Sequence, residues 1–190
     1  MTAALIALVR STPALLYRLL PRAWLLFFVA TLPALALQLS PRKENTQEPL
    51  HYILLLVFTA LNGIGMGAVT AMLPISLLLR AGVATLIAAC SLSVYATRTR
   101  RDFTARGGIL SASVWTLVGM AMLQLLGVGG SLLQSAQIYL GVVAFAAYLV
   151  YDTQLIVGGG KAVQLRADDY ARGALAIYTD VVQLFWYLLR

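Results

Sequence analysis

Long stretches without a charged residue constrain the fold of this chain more than any other feature. Residues 107–151 carry no charge, and residues 49–79 contain no Asp, Glu, Lys or Arg. A membrane-spanning helix needs about 20 mostly apolar residues, so each stretch is long enough for more than one helix. The composition agrees, because 61% of the residues are hydrophobic and 11% are charged, whereas soluble domains carry about 25% charged residues. The sequence therefore predicts a polytopic membrane protein.

Polar segments divide the chain into six predicted spanning helices. Leu, Ala and Val dominate each of them, and the alternating pattern of a membrane β-barrel is absent. We expect an all-α, polytopic membrane helix bundle that forms a single transmembrane domain over residues 1–190, with the bundle itself at 22–190. The predicted spans are 23–41, about 50–72, about 76–97, two helices within 107–157 that are separated by a break at 126–131, and about 172–190.

The N-terminal segment, residues 1–21, allows three interpretations. Arg10 and Pro13 interrupt its apolar part, and it has no clear cleavage pattern of a signal peptide. It is a short seventh spanning helix, an interfacial amphipathic helix or an Arg-rich targeting segment.

The positive charge of the chain is concentrated in three loops. The net charge is +7, and the segments 40–49, 98–106 and 158–172 contain two, four and three Lys or Arg residues. Alternation of six helices places these loops on one side, which the positive-inside bias identifies as cytoplasmic. Such clusters between apolar helices favour contact with lipid head groups. We therefore expect membrane lipids as partners and no nucleic acid.

Two aspartates, Asp152 and Asp180, lie inside otherwise uncharged segments. Asp152 precedes Gly158 by six residues and Asp180 follows Arg172 by eight, which places them about 9 and 12 Å from the same side of the membrane. An isolated charge in hydrocarbon costs at least about 2.5–3.5 kcal/mol. Two carboxyl groups within reach of each other share one proton and titrate as a pair.

Such a pair predicts a pH-sensitive latch on an ion pathway. Loss of the shared proton would drive the two helices apart by repulsion, whereas one shared proton would hold them together. Asp152 also allows a simpler interpretation, in which it contacts lipid head groups at the interface. Hard cations prefer oxygen ligands, so Asp152 and Asp180 would bind Ca²⁺ weakly and transiently, as conduction requires. No cluster of His and Cys indicates zinc or haem, and we expect no resident cofactor.

Two further side chains support the aspartates on the predicted helix faces. Tyr148 lies one turn before Asp152, where it donates a hydrogen bond across the interface or simply fills space. Gln183 lies one turn after Asp180 on a stripe of small and polar residues. That stripe comprises Gly173, Ala176, Asp180, Gln183 and Tyr187.

The segments around the aspartates resemble the C-terminal signature of the Bax inhibitor-1 family, also called the transmembrane Bax inhibitor motif family. They read "FAAYLVYDTQLIVGGG" and "DDYARGALAIYTDVVQLFWYLLR". Upstream, "AGVATLIAACSLSVYATRTRRDFTARGGIL" is similar to that family's helix, basic loop and following helix, and "HYILLLVFTALNGIGMG" to the helix before them. The resemblance covers residues 50–190.

The resemblance implies a seven-helix membrane protein with calcium-leak activity, and in eukaryotes a link to protection from cell death. It implies that Asp152 and Asp180 are the pH-sensing element and that a basic residue at an earlier helix end, for which Arg42 is the candidate, interacts with them. The expected location is the endoplasmic reticulum or another organelle membrane in a eukaryote, and the plasma membrane in a bacterium.

Two other functions remain open, the first suggested by the resemblance and the second by the residues. One is a non-conducting regulator that binds membrane proteins of the cell-death machinery. The other is an intramembrane aspartyl protease, whose chemistry also uses two aspartates that share a proton. The protease hypothesis is weak, because Ile177, Tyr178 and Thr179 stand where the second protease motif requires G-x-G before its aspartate. We expect no enzymatic activity.

Overall fold

The computed structural model describes residues 2–12, 14, 23–39, 48–158 and 170–190. These residues form helices and short turns, and none of them lies in a strand, so the predicted all-α helix bundle is confirmed. In order, the elements are α1 (Thr2–Ser11), α2 (Ala23–Leu39), α3 (Glu48–Thr70), α4 (Ile75–Arg98), a 3₁₀ turn (Thr104–Arg106), α5 (Gly107–Leu125), α6 (Gly130–Val157) and α7 (Tyr170–Leu189).

Among the residues that the structure describes, four helical segments are long and apolar enough to cross a membrane. They are Pro49–Thr70, Ile75–Arg98, Thr104–Leu125 and Gly130–Val157, and each corresponds to a predicted span.

The other two predicted spans form helices that are shorter or less apolar than these four. Helix α2 has 17 residues and is about 25 Å long, which is shorter than the hydrocarbon core of about 30 Å. Helix α7 has 20 residues, but Arg172, Asp180 and Gln183 reduce its apolar character.

The chain divides into two compact units, Met1–Ile75 and Ser76–Arg190. In the first unit, α1 and α2 both pack against α3. The backbone of α3 approaches α2 closely at Gly65, where an added Cβ would lie 3.3 Å from the ring of Phe27. Of the segment 1–21, the structure describes α1, which covers ten residues, or about 15 Å. A single domain over the whole chain stays a prediction.

In the second unit, α6 packs against both α5 and α7, and the 3₁₀ turn contacts α5 and α6. The core of this unit includes Leu117 of α5, Ala144 of α6 and Tyr187 of α7. The predicted break at 126–131 is confirmed, because α5 ends at Leu125 and α6 begins at Gly130. Gly127 and Gly129 adopt positive φ angles of 74° and 110° there, a conformation that glycine adopts without a steric cost.

Candidate functional site

Helices α6 and α7 form the framework of the site, and glycine allows them to approach closely. A Cβ atom built on Gly141 would lie 2.5 Å from Tyr187 Cζ and closer still to two other ring atoms. The aromatic ring of α7 therefore rests directly on the backbone of α6. Asp152, later in α6, meets Asp180, earlier in α7. These two contacts show that the helices run antiparallel.

The site itself is the contact between the carboxyl groups of Asp152 and Asp180, which are hydrogen-bonded to each other. Asp180 is only 4% exposed, and Asp152 is half-buried. Thus the predicted proximity of the two carboxyl groups is present. Their role in pH sensing and ion passage stays a prediction.

Proton sharing follows from the chemistry of this contact. An ionised carboxylate has acceptors and no donor, so a hydrogen bond between two carboxyl groups needs a proton on one of them. Asp180 Oδ2 is buried and accepts no hydrogen bond from an N–H or O–H donor among the residues that the structure describes. A buried acceptor without a donor is costly. A single proton shared between Asp180 and Asp152 lowers the cost of burying this carboxyl group.

Tyr148 belongs to an aromatic column that leads to the carboxyl pair. Its ring lies 6.1 Å from that of Phe145 and 6.3 Å from that of Tyr151. Phe145 in turn stacks on Tyr187 at 5.7 Å. Tyr148 lies close enough to both aspartates for an electrostatic interaction, so packing and polar contact are combined in this one residue.

The two remaining predicted site residues have different outcomes. Gln183 lies on α7, three residues after Asp180, and its side chain is half-buried. Arg42 lies outside the described residues, so its predicted interaction with the carboxyl pair remains a prediction.

Sequence reasoning missed Gln154, whose side chain is 1% exposed. Its Oε1 accepts a hydrogen bond from Phe103 N at 2.9 Å, and its Nε2 donates to Arg101 O at 2.9 Å and to Ala96 O at 3.3 Å. Gln154 thereby joins the end of α4 and the basic loop to α6, two residues after Asp152. The sequence feature that could have indicated this role is an amide side chain within the apolar stretch after Asp152.

The described residues contain no group of three or more His, Cys, Asp or Glu side chains placed to hold a metal ion. Within that part of the chain, the carboxyl pair would therefore hold a cation by two side chains. Calcium sites usually take 6–8 oxygen ligands, so water and carbonyl oxygens would supply most of the coordination, and binding would be weak.

Comparison with known proteins places these features in a family context. The family model described as "Inhibitor of apoptosis-promoting Bax1" matches residues 1–190. Protein lifeguard 3 of Homo sapiens is 30% identical over 171 residues, which cover 86% of this chain and 52% of the relative. Protein lifeguard 4 of Mus musculus is 27% identical over 165 residues, covering 87% of this chain and 67% of the relative.

A viral protein is also similar. The Golgi anti-apoptotic protein of Vaccinia virus (strain Lister) is 26% identical over 149 residues, which cover 76% of this chain and 58% of the relative. The chain spans about half the length of its human relative.

Proposed function

Because this chain belongs to the family of inhibitors of apoptosis-promoting Bax1, we propose that it is a pH-sensitive calcium-leak channel gated by Asp152 and Asp180. Family membership, together with four helices in the described part of the chain that are able to cross a membrane, identifies it as an integral membrane protein. The observation that carries the proposal is the hydrogen bond between two carboxyl groups, one of them buried, at the contact of α6 and α7.

The gate follows from the protonation of this pair. With one shared proton, the hydrogen bond holds α6 against α7. Without it, two negative charges at close range repel each other, and the surrounding low dielectric strengthens the repulsion. The separated carboxylates then offer oxygen ligands to a passing cation, and Ca²⁺ prefers such ligands. Conduction requires binding weak enough for the ion to leave, which suits two carboxylates.

Calcium flux into proteoliposomes tests the proposal. The purified chain is reconstituted with an internal Ca²⁺ indicator, and flux is measured from about pH 5 to pH 8, the range that brackets most physiological titrations. Asn in place of either aspartate donates its amide hydrogen to the remaining carboxylate and so imitates the shared proton at every pH. We therefore expect Asp152→Asn and Asp180→Asn to abolish the pH dependence and hold flux at the level of the closed pair.

A matched control is available in the basic loop. Asp102→Asn makes the same chemical change outside the pair and keeps an oxygen that accepts the hydrogen bonds of Thr104. This variant should retain the wild-type flux and pH profile. If both variants of the pair also retain them, the proposed gate is wrong.

The similarity to an anti-apoptotic viral protein favours a second function, regulation of cell death through contact with membrane proteins of that machinery. The purified chain separates the two functions, because intrinsic flux needs no partner. Absence of flux from correctly folded protein, together with protection of cells that express it, would favour the regulator.

We propose no enzymatic role for the aspartates. The assay is incubation of the reconstituted chain with a model transmembrane peptide, followed by mass spectrometry. Cleavage that Asp152→Asn abolishes would overturn this view and revive the protease hypothesis.

For the membrane that holds the chain, we propose an organelle membrane in a eukaryote or the plasma membrane in a bacterium, which fluorescence microscopy of the tagged chain would distinguish.

A further inference from the structure

We propose that Gln154 is a positioning residue, which holds the C-terminal end of α6 so that Asp152 stays against Asp180. This inference rests on the proposed function only in its consequence for flux. In the structure, the buried amide of Gln154 ties the turn of α6 that carries Asp152 to the segment between α4 and α5.

The side-chain amide of Gln154 makes three hydrogen bonds, one through its oxygen and two through its nitrogen. A glutamine side chain has one carbonyl oxygen and two N–H donors. Here Oε1 accepts from Phe103 N, and Nε2 donates to Ala96 O and Arg101 O. All three partners are backbone groups 51 to 58 residues away in sequence. These hydrogen bonds join different elements. They therefore add nothing to the stability of α6 as an isolated helix, but they fix its position relative to its neighbours.

These partners are groups that the local backbone leaves unsatisfied. Ala96 lies in the last turn of α4, which ends at Arg98, and the last four carbonyls of a helix have no partner within it. Phe103 immediately precedes the 3₁₀ turn, where its N–H likewise has no helical partner. Gln154 therefore completes the end of one helix and the entry to the next with a single side chain.

The end of α6 packs against its neighbours, as Tyr151 does at Gly107 of α5, but among the described residues it has few other polar attachments. The helix ends at Val157, and Ile156 and Val157 are 40% and 58% exposed. The hydroxyl of Thr153 bonds to Leu149 O of the same helix, so it does not tie α6 to a neighbour. Because helix ends fray by about one turn, Asp152 lies near the frayed part unless Gln154 holds it.

Several other ionisable groups lie on the described elements around Asp152. Asp180 faces it from α7, and Tyr148 lies close to both on α6. Helix α5 contributes none, since residues 107–125 carry no charge. The segment that Gln154 contacts carries Arg98, Arg100, Arg101, Asp102 and Arg106. Tyr151 and Arg172 lie on the two site helices themselves.

A loosened α6 end has a definite effect on the pair. When Asp152 can move away from Asp180 and reach water, its ionised form is better solvated and the repulsion is smaller. The pair then releases the shared proton more readily. We therefore expect the midpoint of every pH profile that reports on the pair to move to more acidic pH when the hydrogen bonds of Gln154 are removed.

The test compares two buried glutamines of the same helix. Gln154→Met keeps the approximate shape and removes the hydrogen bonds. Gln137→Met is the matched control, because Gln137 is 4% exposed and also bonds to a backbone carbonyl, Leu117 O. It lies 17 residues earlier, or about 25 Å along the axis. Infrared difference spectroscopy of the full chain in lipid, without Ca²⁺, follows the C=O band of the protonated carboxyl group, and calcium flux is measured in parallel.

We expect Gln154→Met to shift the infrared midpoint by roughly 0.5–1 pH unit to acid, a change of about 3- to 10-fold in proton affinity, and Gln137→Met to leave it unchanged. Equal shifts in the two variants, or a wild-type midpoint in Gln154→Met, would overturn the inference. If Gln154→Met is not recovered folded, Gln154→Asn takes its place, since the shorter amide cannot reach all three partners, and a wild-type midpoint in that variant has the same meaning.

The two readouts separate this inference from the proposed function. A shifted infrared midpoint in a protein that carries no calcium flux supports the positioning role and refutes the channel. Flux that depends on Asp152 and Asp180, with both midpoints unmoved in the Gln154 variants, supports the channel and refutes the positioning role.

Discussion

Replacement of Gly141 by alanine tests the closeness of α6 and α7 most directly. An ideal Cβ at this position would lie 2.5 Å from Tyr187 Cζ and nearer to Cδ1 and Cε1, whereas carbon atoms in contact are separated by about 3.5–4.0 Å. The ring would therefore have to move by at least about 1 Å. Tyr187 is 8% exposed and stacks on Phe145, so little free space is available to it.

Overpacking of this kind typically costs about 1–3 kcal/mol. For a chain of 150–250 residues, each kcal/mol corresponds to a shift of about 2–4 °C in melting temperature. We therefore expect Gly141→Ala to lower the melting temperature by about 2–12 °C. The same displacement separates α6 from α7, so the variant should also weaken the contact of the aspartates.

Thermal unfolding in detergent, followed by tryptophan fluorescence, measures the effect. Gly119→Ala in α5 is the matched control, because an added Cβ there has no neighbour within 4 Å and alanine favours helices over glycine by about 1 kcal/mol. It should melt at the wild-type temperature or above. Tyr187→Leu combined with Gly141→Ala should restore part of the loss, as expected for a direct clash. A Gly141→Ala variant as stable as the control would refute the close approach.

Three smaller changes test other contacts. Asp102→Ala removes the acceptor of Thr104 N and Oγ1 and should cost about 0.5–1.5 kcal/mol, seen as faster amide hydrogen exchange at residue 104. Gln124→Leu removes the donor to Gln137 Oε1 at 2.7 Å and should cost about 0.6–1.7 kcal/mol in thermal unfolding; an unchanged melting temperature would contradict this. Tyr148→Phe keeps the ring and removes the hydroxyl, so it should shift the pH midpoint of flux at unchanged stability, and a wild-type midpoint would assign Tyr148 to packing alone.

The contact of Asp152 with Asp180 was predictable because depth in a membrane is nearly a one-dimensional property. Counting residues from the shared loop places both carboxyl groups at similar depth with a fixed rise per residue. The cost of an isolated charge then favours a partner. Neither step requires knowledge of how the helices pack.

Gln154 and Gly141 were not predictable in the same way. The partners of Gln154 are backbone groups of another segment, and every residue has such groups, so no sequence pattern marks them. Gly141 is one of several small residues in α6, and its contact with Tyr187 depends on the rotation of both helices about their axes.

The sequence by itself determined the helical class, the break before α6 and the approximate ends of the apolar helices. Each of these follows from local composition, since water, hydrocarbon and backbone geometry act on every segment separately. Only the tertiary structure decided how deeply the carboxyl pair is buried and which other groups are in contact. The burial of Asp180, the stacking of Tyr187 on Gly141 and the three hydrogen bonds of Gln154 require helices to be placed within tenths of an ångström, and that placement results from packing among segments distant in sequence.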